Sequence, residues 1–175
     1  MKIEGAAWCL GSNVSTDEIL PGRYMGLEEG AELGSHALEG IAPGISQRLT
    51  RGDVLVAGPN FGTGSSRESA PRALRAAGFS AIIADSFARI FYRNCINIGL
   101  IALWCDGVAE AVEDGDRICV ESTGTELINV TANITLPLLP LSPFAHLIVD
   151  AGGLIPYARS RVGQRLVPDD RESKT

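Results

Sequence analysis

Between Asp53 and Gly78 the chain passes from an apolar run through a glycine turn into a helix, and this order constrains the fold more than any other feature. Asp53-Val54-Leu55-Val56-Ala57-Gly58 has the β-branched, nearly uncharged character of a buried strand. Gly62-Thr63-Gly64-Ser65-Ser66-Arg67-Glu68 follows as the turn, and Ala70 to Ala77 reads as a helix stopped by Gly78. A glycine turn between strand and helix aims backbone N–H groups at one point, where the helix dipole also favours negative charge. Two serines and an arginine at that point make a site for an anion, or for a hydroxyl that must become one.

The local pattern leaves two roles open for Ser65. Ser65-x-x-Glu68 has the spacing of a capping box, in which the serine merely starts the helix. Pro71 is comfortable only in the first helical turn, which shifts the cap towards Ser66 or Ser69 and leaves Ser65 free. Phosphate-loop readings are weak. A dinucleotide fingerprint wants glycine where Arg67 stands, and the Gly-Lys-Ser/Thr end of a P-loop is absent.

Around this unit the pattern is that of an α/β chain. Ile3 to Leu10 reads as a first strand, followed by a polar turn in which Thr16 or Asp17 can cap a short helix. Tyr24 to Gly44 is glycine-rich, with a short helix within Glu28–Leu38, and is expected to be mobile. Ala81–Ala84 and Leu100–Trp104 read as strands. Phe87–Asn94 reads as a helix with Phe87, Ile90 and Phe91 on one face, and with Asn94 and Asn97 as terminators. Arg89 and Arg93 share a helix face that reads as a solvated basic edge. Strands alternating with helices predict parallel pairing. Arg117–Glu121 and Glu126–Thr131 alternate like an antiparallel hairpin, and Phe144–Ala151 reads as a helix ended by Gly152-Gly153. The expectation is one domain over residues 1–166, with a polar tail over 167–175.

Composition narrows the function classes. The chain has 175 residues, 45% hydrophobic and 21% charged, with a net charge of −6. That balance, without a basic stripe, argues against nucleic acid as a partner. No apolar run approaches a membrane span and the first residues lack a signal-peptide core, so no membrane contact and a cytoplasmic location are expected. Cys9, Cys95, Cys105 and Cys119 are scattered, with no Cys-x-x-Cys pair, and read as small apolar residues rather than ligands. His36 and His146 lack ligand spacing and read as surface or packing residues. No metal ligands are expected on this chain.

Several motifs in order carry a resemblance. Gly58-Pro59-Asn60-Phe61-Gly62-Thr63-Gly64-Ser65-Ser66-Arg67-Glu68, then Ala84-Asp85-Ser86-Phe87-Ala88-Arg89-Ile90-Phe91-Tyr92-Arg93-Asn94, then Ile96-Asn97-Ile98-Gly99-Leu100, resemble the small subunits of 3-isopropylmalate dehydratases, the swivelling domain of the aconitase superfamily. Asn13–Tyr24 is similar to the family's N-terminal signature, and Ala151–Tyr157 to its C-terminal one. The match covers roughly residues 3 to 160. It implies an α/β fold: a three-layer β/β/α swivelling domain with a mixed sheet, as in the aconitase C-terminal domain. It also implies a large-subunit partner that holds a [4Fe–4S] cluster through its own cysteines, with no cofactor bound by this chain.

What the resemblance implies chemically is a hydro-lyase, active only with the large subunit, acting on a small dicarboxylate. A step of leucine biosynthesis, 2-isopropylmalate to 3-isopropylmalate, is the leading expectation. Such a reaction removes a proton beside a carboxylate and expels a hydroxyl, for which the partner's iron would be the Lewis acid. By family correspondence Ser65 is the base and Arg67 binds a substrate carboxylate, with a hydrogen bond from Ser66. Thr16 lies near the cleft as a substrate-binding residue, and Asp17 orients a histidine of the large subunit. Tyr24-Met25-Gly26-Leu27 corresponds to the loop that reaches the substrate's variable group. Being uncharged, that loop favours a small or branched apolar substituent over a third carboxylate; the plain alternative is that Met25 and Leu27 only pack the loop. Ser69 and Thr63 depart from the family's common residues, histidine or glutamine and cysteine. The other substrates in view are 2,3-dimethylmalate, citraconate or citramalate, and homoaconitate. A reading from another class is a non-catalytic anion-binding assembly module. Self-association without the large subunit is a further expectation.

Overall fold

The computed structural model describes residues 2–121 and 124–165; the polar tail expected over 167–175 lies outside them. The elements in chain order are β1 (Lys2–Leu10), α1 (Thr16–Ile19), a 3₁₀ turn (Gly22–Tyr24), α2 (Ala31–Ser35), α3 (Ile45–Arg48), β2 (Val54–Ala57), α4 (Ser69–Ala77), β3 (Ala81–Ala84), α5 (Arg89–Ile98), β4 (Ile101–Trp104), α6 (Val108–Ala111), β5 (Arg117–Glu121), β6 (Glu126–Asn129), β7 (Ile134–Pro137), α7 (Pro143–Asp150) and α8 (Leu154–Arg165).

One mixed sheet runs in the order β4-β3-β2-β1-β5-β6-β7. The strand β1 serves both halves. Its residues Ala7–Leu10 pair in parallel with Val54–Ala57, while Lys2–Ala6 pair antiparallel with Glu121–Arg117. At the changeover Gly5 lies so close to the chain that a Cβ would sit 2.5 Å from the carbonyl oxygen of Gly52. β2 and β3 are buried at every position, which is why they read as continuous apolar runs rather than alternating ones. The β5–β6–β7 ribbon is antiparallel, and β5 and β6 alternate buried and exposed residues as the sequence predicts.

The sheet separates two apolar clusters. Leu55, Ala57, Ile82, Ala84 and Ala102 face one way, against Leu74 of α4, Phe91 and Cys95 of α5, Leu33 of α2 and Ile19 of α1. Val54, Val56, Ile83 and Leu103 face the other way, where the curled ribbon returns Ile118, Val120 and Leu127 and α7 adds Ile148. Helices, parallel strands and ribbon therefore form the expected β/β/α layers. Among the described residues no helix is long and apolar enough to cross a membrane.

Three local expectations are corrected. The cap of α1 is Ser15, not Thr16 or Asp17: its hydroxyl accepts from the Glu18 amide at 3.2 Å, and the Ser15 amide donates to Glu18 Oε2 at 2.7 Å. Ser15→Ala should lower stability by about 1 kcal/mol, read from the denaturant midpoint. Second, α5 begins at Arg89 and not at Phe87. Phe87 is held extended by a parallel bridge to Phe61, and the Ala88 amide donates to the Phe61 carbonyl at 2.9 Å. Ile90 is then exposed, and Asn94 and Asn97 lie inside the helix rather than ending it; Gly99, at φ +81°, ends it. Third, the Tyr24–Gly44 segment expected to be mobile is docked. Its helix is only Ala31–Ser35, and Gly34 approaches α4 so closely that a Cβ would lie 2.6 Å from Ala76. The Leu38 amide donates to the Ile19 carbonyl at 2.7 Å, with Leu33, Ala37 and Leu38 buried.

Candidate active site

The glycine turn is zipped to the loop after β1. The Gly62 amide donates to the Val14 carbonyl at 2.8 Å, and the Thr16 amide to the Thr63 carbonyl at 2.8 Å. The Ser65 amide donates to the Thr16 hydroxyl at 3.0 Å. Two glycines are required by position. Gly62 has φ +80°, and a Cβ there would overlap the Phe91 ring. Gly64 has φ +100°, with the Thr16 hydroxyl 3.3 Å from where a Cβ would stand. Gly62→Ala combines left-handed strain with overpacking. It should destabilise the fold by about 3 kcal/mol, or about 10 °C in melting temperature, measurable by thermal denaturation.

The sequence left Ser65 between capping and chemistry, and neither Ser65, Ser66 nor Ser69 caps α4. The capping position is Glu68, with no side-chain cap bond. Glu68 is turned aside instead: its Oε1 accepts from Arg72 Nε at 2.8 Å and from Arg72 Nη2, and its Oε2 accepts from Asn97 Nδ2 at 2.7 Å. Ser65 is half-buried, and its Oγ accepts from the Arg67 amide at 3.3 Å. Ser66 is exposed, and its carbonyl accepts from Asn94 Nδ2 at 3.0 Å. Asn94 and Asn97 belong to this neighbourhood, although their spacing alone suggested only the end of a helix.

Arg67 is the site's cation. Its side chain is 16% exposed, and Nη2 donates to Asp17 Oδ1 at 2.6 Å. Nη1 lies 3.0 Å from Met25 Sδ, and Nε is buried without a hydrogen-bond partner among the described residues. The guanidinium thus grips a carboxylate of its own chain. Asp17 is exposed, at 66%, on the first turn of α1. Thr16, expected at the cleft, is fully buried, and its hydroxyl takes up the Ser65 amide, so it shapes the turn.

The four residues of the expected specificity loop separate. Tyr24 is an anchor: it stacks on His36 with ring centroids 3.8 Å apart, and its hydroxyl donates to Glu39 Oε1 at 2.9 Å. That hydroxyl, then His36 and Arg23, hold the Glu39 carboxyl below its usual range. Leu27 packs on the core, Gly26 is exposed, and Met25 touches Arg67. Between this loop and α4 lies a cavity of about 460 Å³, whose lining mixes Met25, Leu27 and Leu33 with Ser69, Arg72 and the carboxylates of Glu28, Glu29 and Glu68.

The four cysteines are dispersed and free. Cys95 and Cys105 are buried and Cys9 and Cys119 half-buried; Cys9, Cys95 and Cys119 lie on β1, α5 and β5, and Cys105 just past β4. Burial pushes the Cys9 and Cys105 thiols up to about 11, away from the thiolate a metal needs. Among the described residues no His, Cys, Asp and Glu cluster could hold a metal ion.

Comparison with known proteins places the chain in a family. The model of the aconitase C-terminal domain matches residues 46–106, from α3 through the glycine turn to just past β4. The chain is 44% identical over 163 residues to the 3-isopropylmalate dehydratase small subunit of Methanosarcina acetivorans, covering 93% of this chain and all of that one. It is 43% identical over 162 residues to the isopropylmalate/citramalate isomerase small subunit of Methanocaldococcus jannaschii, covering 93% and 96%. A crystal structure of 3-isopropylmalate dehydratase from the same archaeon superimposes with a TM-score of 0.90 at 39% identity, over 94% of this chain and 98% of that one. With sequence and fold shared over nearly its whole length, the chain belongs to the family of 3-isopropylmalate dehydratase small subunits.

Proposed function

We propose that this chain is the small subunit of a heteromeric hydro-lyase acting on a substituted malate, with 2-isopropylmalate, isomerised to 3-isopropylmalate, as the leading substrate. The observation that carries the reading is the Arg67 guanidinium, which sits on the turn beside Ser65 and already grips a carboxylate, that of Asp17. A bound diacid would take Asp17's place on the planar fork. Ser65, as its alkoxide, would collect the proton beside that carboxylate and become the neutral hydroxyl. A serine hydroxyl is a very weak acid, and each pKa unit of lowering requires about 1.4 kcal/mol. The Arg67 amide donating to Oγ and the neighbouring cation both favour the alkoxide. Asp17, released from Arg67, would be free to orient a histidine of the large subunit. Ser66, exposed beside Ser65, would supply a further hydrogen bond to the diacid.

The chain's own thiols do not fit a cluster site, being dispersed and in part buried. The family relationship puts the [4Fe–4S] cluster, which would polarise the departing hydroxyl, on the large subunit, and a cytoplasmic setting goes with the same reading. Met25 and Leu27 beside the site bring no positive charge for a third carboxylate, which favours an apolar substituent. A methyl-substituted malate of the citramalate kind is the second substrate reading, supported by the name of the Methanocaldococcus relative, an isopropylmalate/citramalate isomerase small subunit.

The test is reconstitution. Mixed with the large subunit, the chain should turn over 2-isopropylmalate, followed by absorbance of the unsaturated intermediate, and each subunit alone should be inactive. Turnover by this chain alone, or none by the mixture, would overturn the reading. A panel of substituted malates on the complex ranks the substrates.

A further inference from the structure

The helix α5 passes behind the Ser65–Arg67 turn and presents two amides to it. Asn94 and Asn97 stand three residues apart and so share one face. Asn94 Nδ2 donates to the Ser66 carbonyl at 3.0 Å, and Asn97 Nδ2 donates to Glu68 Oε2 at 2.7 Å. Both partners can only accept, which fixes the orientation of both amides. Ser66 and Glu68 are the two chain neighbours of Arg67. The turn needs such fastening, because α4 starts without a side-chain cap and the Ser65 amide is already committed to Thr16. Asparagine is a mediocre helix former, so two in one helix interior are not explained by α5 itself.

Glu68 adds a second reason. Its carboxylate is next in sequence to the Arg67 guanidinium and would compete with a substrate carboxylate if it swung round. Arg72 engages Oε1 and Asn97 engages Oε2, which keeps both oxygens turned away.

We propose that Asn94 and Asn97 are positioning residues: Asn94 sets the Ser66 peptide, and with it the directions of the Ser65 hydroxyl and the Arg67 side chain, while Asn97 restrains Glu68 from occupying Arg67. This rests on the functional reading above. The test uses the reconstituted complex with 2-isopropylmalate, comparing wild type, Asn94→Ala, Asn97→Ala and Asn97→Asp, each also in an Arg67→Lys background. Asn97→Ala should raise KM by about tenfold with kcat little changed, the loss of one hydrogen bond to a charged group. Asn97→Asp keeps the volume but opposes Glu68 with like charge, and should raise KM at least as far; it carries the test if the alanine variant assembles poorly. Asn94→Ala should lower kcat by about tenfold as well, because misplacing a reacting group slows the step itself. In the Arg67→Lys background the KM effect of the Asn97 variants should shrink, since residues acting through one another are non-additive. An active wild type whose variants lose only thermal stability, with KM and kcat unmoved, overturns this inference alone. An inactive wild-type complex counts against the functional reading, and this inference falls with it.

Discussion

Ser65→Ala should reduce kcat of the reconstituted complex by at least about a thousandfold, as expected when a positioned general base is removed. Assembly and melting temperature should scarcely change. The Ser65 side chain is half-buried and accepts one hydrogen bond, from the Arg67 amide, so its loss removes about 1 kcal/mol at most. The Ser65 amide, which ties the turn to Thr16, is backbone and survives the substitution. KM should stay within a few-fold of wild type, because the guanidinium proposed to hold the diacid is untouched. The measurements are kcat and KM on the complex, with size exclusion to show that both subunits still co-elute. Turnover at the wild-type rate would remove Ser65 from the mechanism.

The second large effect is expected at Arg67. Arg67→Ala removes the proposed two-point grip on a substrate carboxylate and should raise KM by about a hundredfold or more, the worth of a charge-assisted pair in a partly enclosed site. Stability should barely respond, since Asp17, the partner left behind, is 66% exposed and stays solvated. Arg67→Lys keeps the charge but not the fork, and should fall between wild type and alanine. The split matters: position 65 should act on kcat and position 67 chiefly on KM. A KM for Arg67→Ala equal to that of wild type would show that the diacid binds elsewhere.

Much of the scaffold was legible because its signals are local. Val54–Ala57 and Ala81–Ala84 are apolar without alternation because both faces are covered, and β5 and β6 alternate because only one is. What escaped was fixed by distant partners. The chain contains Ser15-x-x-Glu18 and Ser65-x-x-Glu68, identical in spacing, yet only the first closes as a capping box. The second cannot close, because Glu68 is taken by Arg72 and Asn97 and the Ser65 amide by Thr16. Of these competitors only Arg72 is near in sequence; Asn97 lies 29 positions from Glu68 and Thr16 lies 49 from Ser65. The late start of α5 has the same origin, in the bridge from Phe87 to Phe61. The Asp17–Arg67 pair spans 50 positions and has no local signature. Family motifs pointed to both residues without saying that they would hold each other.

The double service of β1 has a consequence for handling the protein. A single segment closes the flank of Val54–Ala57 on one side and of Arg117–Glu121 on the other. Clipping it away would therefore open two unpaired rims at once, one bordered by apolar residues on both faces. Such rims invite chain-to-chain stacking, so proteolytic nibbling at this end would turn a dissolved subunit into a precipitating one rather than a merely shorter one.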